Sequence, residues 1–204
     1  MNKLRQPFYI MFHPIEGYEE MRWNKSGSIE VSCLILIIWF MTEVIEHQLT
    51  GFIFNHNRPY SLNPLLVFSS TIIAFLLFTG SNWAFTTLMD GEGSFENIVI
   101  YCAYALVPYI IVTLVVVVLS RVLILQEGIF LSWLKALGIL WSMVLVFCAL
   151  AVVHQYSYGK ALGSIFLTLI GMLIILFIAV LIASLFQQVA VFLRTIYNEM
   201  MYRL

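Results

Sequence analysis

Residues 40–48 read FMTEVIEHQ, and three of them, Glu43, Glu46 and His47, are ionisable groups inside a stretch otherwise apolar from Val31 to Phe54. Carboxylates and imidazoles bind ions, carry protons and act as general acids or bases, so chemistry is sought here first. On a helix, Glu43 and His47 stand four residues apart on one face, with Glu46 on its border. The set is not an HExxH zinc motif, and a catalytic site would need more groups than these. Counted from Glu30 at one interface, Glu43 lies roughly 20 Å along the helix, and Glu46 and His47 lie roughly 24–26 Å along it. That is the outer third of a bilayer core about 30 Å thick. A lone carboxylate there is costly, so each must be protonated, paired or turned to a wet crevice. The cations expected at that depth are Arg58, Arg121 and Lys135. Two main readings stay open: an intramembrane polar site for an ion, proton or metal, or a helix that reaches water early and pairs these groups near the interface.

Other polar residues fall where a membrane helix would not need them. Asn82, in TGSNW, either hydrogen-bonds across helices or lines a polar crevice. MDGEGSFENI (89–98) carries Asp90, Gly91, Gly93 and Ser94. A Gly-x-Gly-Ser before a helix suggests a phosphate cradle, but Asp90, Glu92 and Glu96 would repel phosphate and no strand precedes it. A tight interhelical turn with Ser94 as the helix cap explains it. Pro108, in YCAYALVPYI (101–110), removes a backbone hydrogen bond, so the carbonyl near Tyr104 must find another partner and a kink is expected. Gly159, Gly163 and Gly171 suggest close approach by the last span.

The elements that must hold these residues are membrane helices. The 204-residue chain is 62% hydrophobic and 10% charged, against about 45–50% and about 25% for soluble domains. No soluble fold of this length hides that much apolar surface. Five segments are long enough to cross: 29–54, 64–88, 95–120, 129–153 and 161–186. Helices satisfy their own backbone in lipid, so the fold class is all-α, a polytopic integral membrane bundle of five transmembrane helices. Short connections make sequential helices antiparallel neighbours. Asn63 and Pro64 mark one start. HPIEGYEEMRW (13–23) reads as a short amphipathic helix lying at the interface, with Ile15, Tyr18 and Met21 or Arg22 at helical spacing. The N-terminus lacks the features of a cleavable signal. Residues 1–28 then form a cytoplasmic tail and 29–204 the transmembrane domain. The last span runs on into a helical tail that offers a contact surface. Lys3, Arg5, Arg22 and Lys25 before the first span favour a cytoplasmic N-terminus.

The net charge of −1 gives no basis for a nucleic-acid partner. Cys33, Cys102 and Cys148 lie apart in apolar runs and read as packing residues. There is no nucleophile elbow, zinc spacing or Walker motif, and no cofactor or metal site is assigned.

Two stretches resemble the Yip (Ypt/Rab-interacting protein) domain family in its bacterial form. One is HPIEGYEEMRW before the first span. The stronger is NWAFTTLMDGEGSFENIVIYCAYALVPYI (82–110), with a Gly-x-Gly-Ser-Phe turn followed by Tyr104, Leu106 and Pro108. The resemblance implies a multi-pass membrane protein with a cytosolic N-terminus, acting as a scaffold or partner-binding protein without catalytic residues. Its expected contacts are the lipid bilayer and a membrane-protein partner or a second copy. The Asp-Leu-Tyr-Gly-Pro signature of Rab-binding relatives is absent. The alternative is a small transporter, or a membrane subunit of one, built on Glu43, Glu46, His47, Asn82 and the Pro108 kink.

Overall fold

The computed structural model describes residues 5–55 and 62–203. All regular structure within them is helical: α1 (Gln6–Phe12), α2 (Pro14–Trp23), α3 (Ile29–Leu49), α4 (Pro64–Phe68), α5 (Ala74–Leu88), α6 (Phe95–Tyr104), α7 (Val107–Leu119), α8 (Gly128–His154) and α9 (Tyr158–Arg203). Four helical stretches are long and apolar enough to cross a membrane: Pro64–Leu88, Phe95–Leu119, Leu125–His154 and Tyr158–Tyr202. α3, with its Glu30, Glu43 and Glu46, is not among the four.

Local capping chemistry explains two of the helix starts. Asn63 Oδ1 accepts from Leu65 N at 3.0 Å, with Pro64 in the first turn. Ser94 Oγ accepts from Asn97 N at 3.3 Å and opens α6. A π turn over Ser69–Ile73 joins α4 to α5. Its hydroxyls bond back to the preceding turn, Thr71 Oγ1 to Val67 O at 2.7 Å and Ser69 Oγ to Leu66 O at 2.9 Å. Pro108 does more than kink its span: the helix stops at Tyr104 and restarts at Val107. Tyr109 N donates to Ser142 Oγ of α8 at 3.2 Å instead of to its own helix.

Two expectations need correction and one needs extension. The helix expected over 29–54 ends at Leu49, not Phe54, because Gly51 is pressed against the end of α7. Its N–H donates to Ser120 Oγ at 2.8 Å, and a Cβ there would lie 2.1 Å from Ser120 O. The helix over Pro14–Trp23 forms, but Tyr18 and Met21 are buried against protein, not laid on lipid. Tyr18 Oη donates to Tyr101 O at 3.1 Å, and burial pushes its phenol pKa well above the ordinary value, so it stays a neutral donor. Finally, sequential helices do adjoin, α7 and α8 most closely, but the sequence did not show the non-sequential contacts. α3 packs on α6 and α7, and α9 packs chiefly on α5. Gly171 makes the latter contact possible, since a Cβ there would meet Phe85 at 2.2 Å and Ser81 Oγ at 2.3 Å. Gly159 and Gly163 face open space. Of the three cysteines, Cys102 and Cys148 are buried and Cys33 is exposed.

The core gathers α6 and α8 residues such as Ile98, Tyr104, Leu145 and Leu150, with Ile10 and Met21 of the N-terminal segment. α1 and α2 pack along α8 from Trp141, whose Nε1 donates to Met11 O at 3.0 Å, to its end, where Arg22 reaches Val152 O and Val153 O; that end of the bundle is called proximal below. The ends of α3 and α7, near Gly51 and Ser120, are distal.

Candidate functional site

The sequence-predicted site residues separate into two clusters. Lys135 belongs to the distal one and His154 to the proximal one, and they lie roughly 28 Å apart along α8.

At the distal cluster, the two carboxylates have different partners. Glu43 Oε1 accepts from Trp39 Nε1 at 3.0 Å, one turn back on α3, and from Tyr109 Oη of α7 at 2.7 Å. Glu46 forms an ion pair with Lys135 of α8. Both ends of that pair are partly exposed, so it is a modest tie rather than a buried charge lock. Arg121 takes neither carboxylate: its Nε donates to Leu49 O at 3.0 Å and caps α3. Arg58 lies outside the described residues. His47 Nδ1 is buried with no hydrogen-bond partner. Tyr109 and Trp39 are the members that sequence reasoning missed. Trp39 stood at i−4 from Glu43, a legible signal; Tyr109 required knowing that α3 and α7 adjoin.

The proximal cluster is built on the 89–94 turn. Asp90 takes the left-handed conformation at φ 57°. Gly91 and Gly93 do not; no described glycine has positive φ. They are required by close approach, because a Cβ on Gly91 would lie 2.7 Å from His154 Nδ1 and 2.8 Å from Tyr156 Oη. Gly91 N closes the end of α5 on Thr86 O at 2.8 Å.

His154 is the residue the sequence did not single out. Gly93 N lies 3.4 Å from its Nδ1, and its Nε2 lies 3.0 Å from Asn82 Oδ1. The neutral tautomer with the proton on Nε2 satisfies both bonds. Asn82 Nδ2 then donates to Thr168 Oγ1 of α9 at 2.9 Å, and Thr168 Oγ1 donates to Ser164 O at 2.7 Å. The chain joins turn, α8, α5 and α9, so Asn82 acts as cross-helix glue. Tyr104 also serves α3, its Oη accepting from Ser28 N at 3.3 Å. Arg22 of α2 completes the proximal end. Its Nη1 donates to Val152 O and Val153 O at 2.9 and 2.7 Å, and it pairs with Glu92.

An N-terminal helix docked on a Gly-x-Gly-Ser turn, with a proline-broken span behind it, is the arrangement that the sequence match covers. The Yip1 domain matches residues 8–182, from α1 into α9. The chain belongs to the Yip1 domain family. No curated protein and no solved structure matches. The Yip1 match and the apolar helices make it a membrane protein. In this Yip1 domain the buried part of the proximal cluster, His154, Asn82 and Thr168, holds neutral donors and acceptors already paired with one another, with the Arg22–Glu92 ion pair at its edge, an arrangement for locking helices. The distal cluster holds a carboxylate with two neutral donors and an unpaired ring nitrogen. Among the described residues, no three His, Cys, Asp or Glu side chains converge to hold a metal ion.

Proposed function

We propose that this Yip1-domain protein is a non-enzymatic, five-span scaffold of the cell membrane that holds a membrane-protein partner or a second copy through α9. Residues 1–28 form its cytoplasmic segment and residues 29–204 its membrane domain. The observation that carries this reading is α9 itself. It is one helix of 46 residues, roughly 69 Å long, more than twice the thickness of a bilayer core. Beyond Gly171 it is exposed almost throughout, including Phe186, Val189, Phe192 and Ile196. Lipid covers the part inside the bilayer. The part beyond, past the Yip1 match at residue 182, keeps an apolar surface that a protein partner would bury. α3 is taken as the fifth crossing because its 21 residues reach roughly 32 Å and end beside Ser120 with α7.

Removing residues 187–204 tests it. The full chain in mild detergent should run as a complex, and the truncated chain as a folded monomer. A monomeric full chain, or a complex that survives truncation, would sink the reading.

Transport is the second reading, and the Glu43–Tyr109 contact beside a broken helix favours it. It loses Asn82, which is bonded at the opposite end. Proteoliposome flux unchanged by Glu43→Gln and Glu46→Gln would remove it.

A further inference from the structure

One face of α9 changes its surroundings along the helix. Ser164, Thr168 and Gly171 are buried on α5, where Ser81 Oγ donates to Thr168 O at 2.8 Å. One turn further along the same face stands Ile175, which is exposed. From Ile175 apolar residues recur at alternating intervals of four and three, reaching Phe186, Val189, Leu193, Ile196 and Met200. All five are exposed. The polar residues of this outer part, Gln187, Gln188, Arg194, Thr195, Asn198 and Glu199, all stand off the stripe. The face that locks α9 to α5 near the proximal end is therefore continued, unpartnered, beyond the bundle.

Depth decides what can cover it. Lipid covers the stripe to about Phe186, after which Gln187 and Gln188 bring the first side-chain amides of α9. Residues 187–203 carry the unbroken helix roughly 26 Å further. No proline or glycine follows Gly171, so the tail has no residue that would kink it down onto the bilayer surface. Its apolar stripe faces water unless protein covers it.

The four-three alternation is a heptad pattern, which keeps a seam facing its partner when helices supercoil together. Further copies of this chain present the matching seam. Copies inserted with one orientation send their tails out parallel and at the same depth, so the stripes meet in register. Charge does not hold them apart: Arg194, Glu199 and Arg203 are of mixed sign, and none lies between Phe186 and Met200 on the stripe. Phe186, Leu193 and Met200 take the a positions, and Val189 and Ile196 the d positions. Leucine-type a with β-branched d favours more than two strands. The flanking Ala190, Phe192 and Tyr197 widen the apolar face in the same sense.

We propose that α9 closes a parallel coiled-coil bundle of three or four copies of this chain along the Phe186–Met200 stripe. The proposal rests on the scaffold reading of α9 and names its partner.

Oxidative cross-linking of single-cysteine variants in native membranes tests the seam, with the exposed Cys33 replaced by alanine. A disulfide needs Cα atoms within about 7 Å. Ile196→Cys, on the stripe, should join copies of the chain, and Asn198→Cys, on the opposite face, should not. Light scattering of the full chain in mild detergent should give the mass of three or four chains. Leu193→Glu, which puts a charge on the stripe outside the bilayer, should reduce it to one chain with a parent-like Tm. Ile196→Cys that cross-links no better than Asn198→Cys overturns the proposal, and is the result expected of a tail laid on lipid. So does a particle of one or two chains, or a mass unmoved by Leu193→Glu. A particle of one copy with a different membrane protein sinks this proposal and leaves the scaffold reading standing; a bare monomer sinks both. If Leu193→Glu fails to insert, the two cysteine variants decide alone.

Discussion

A Cβ on Gly93 would stand 2.7 Å from His154 Cε1 and 2.9 Å from its Nδ1, and the imidazole is itself fixed by Asn82. His154 cannot yield without breaking a buried bond. Gly93→Ala should therefore destabilise the protein by about 1–3 kcal/mol, the usual cost of overpacking. Thermal unfolding in detergent measures it, and a parent-like Tm would contradict the contact. Asp90, three residues earlier, behaves oppositely. Its φ of 57° is awkward for an L side chain, so Asp90→Gly should be neutral or stabilise by up to about 1 kcal/mol. The two substitutions separate the roles that turn residues usually share: one position needs freedom of φ, the other needs absence of a Cβ. The sequence makes the turn legible, yet it hides which residue serves which role. That depends on His154, which arrives from a distant part of the chain.

At the scale of elements, the break between α6 and α7 is held by a neighbour. Pro108 prevents a continuous ladder, and Tyr109 N finds Ser142 Oγ on α8. Ser142→Ala should leave that N–H unsatisfied in a buried seam and cost about 1–3 kcal/mol. Amide exchange at Tyr109 should speed up accordingly; unchanged exchange would mean the bond does little. Lys135 ties α8 to α3 in the same region through Glu46. Because that pair is partly exposed, Lys135→Met alone should cost about 1 kcal/mol, and Glu46→Leu added to it should recover most of the loss. A double-mutant cycle with no coupling would contradict the pairing. Where an element begins was often legible, because Asn63–Pro64 and Ser94 act on their own next turns. Where α3 ends was not, because Gly51 stops against Ser120 far away in the sequence. The π turn at Ser69–Ile73 was also hidden: hydroxyl back-bonding is compatible with an ordinary helix, and nothing in the run SSTII forces the wider turn.

Over the whole molecule, composition alone announced membrane helices, but the distribution of charge did not announce two separate polar ends. Asn82 and Glu43 are both polar interruptions in apolar runs. Only packing assigns one to the proximal lock and the other to the α3–α7 seam. That separation bears on topology. Arg22 and Glu92 pair, so the N-terminal segment and the 89–94 turn share the proximal end; Ser157, between α8 and α9, lies there too. Gln126, just before α8, is distal, and α9 then runs from the proximal end outward. If α3 crosses the bilayer as the fifth span, single cysteines at positions 5 and 157 should label from the cytoplasm. Those at positions 126 and 200 should label from outside, after the exposed Cys33 is replaced by alanine. Labelling of positions 5 and 200 from the same side would require an even number of crossings. Because α3 is the long helix outside the four most apolar stretches, it would then be the helix that fails to cross, and Glu43 would sit in a re-entrant hairpin instead of a span.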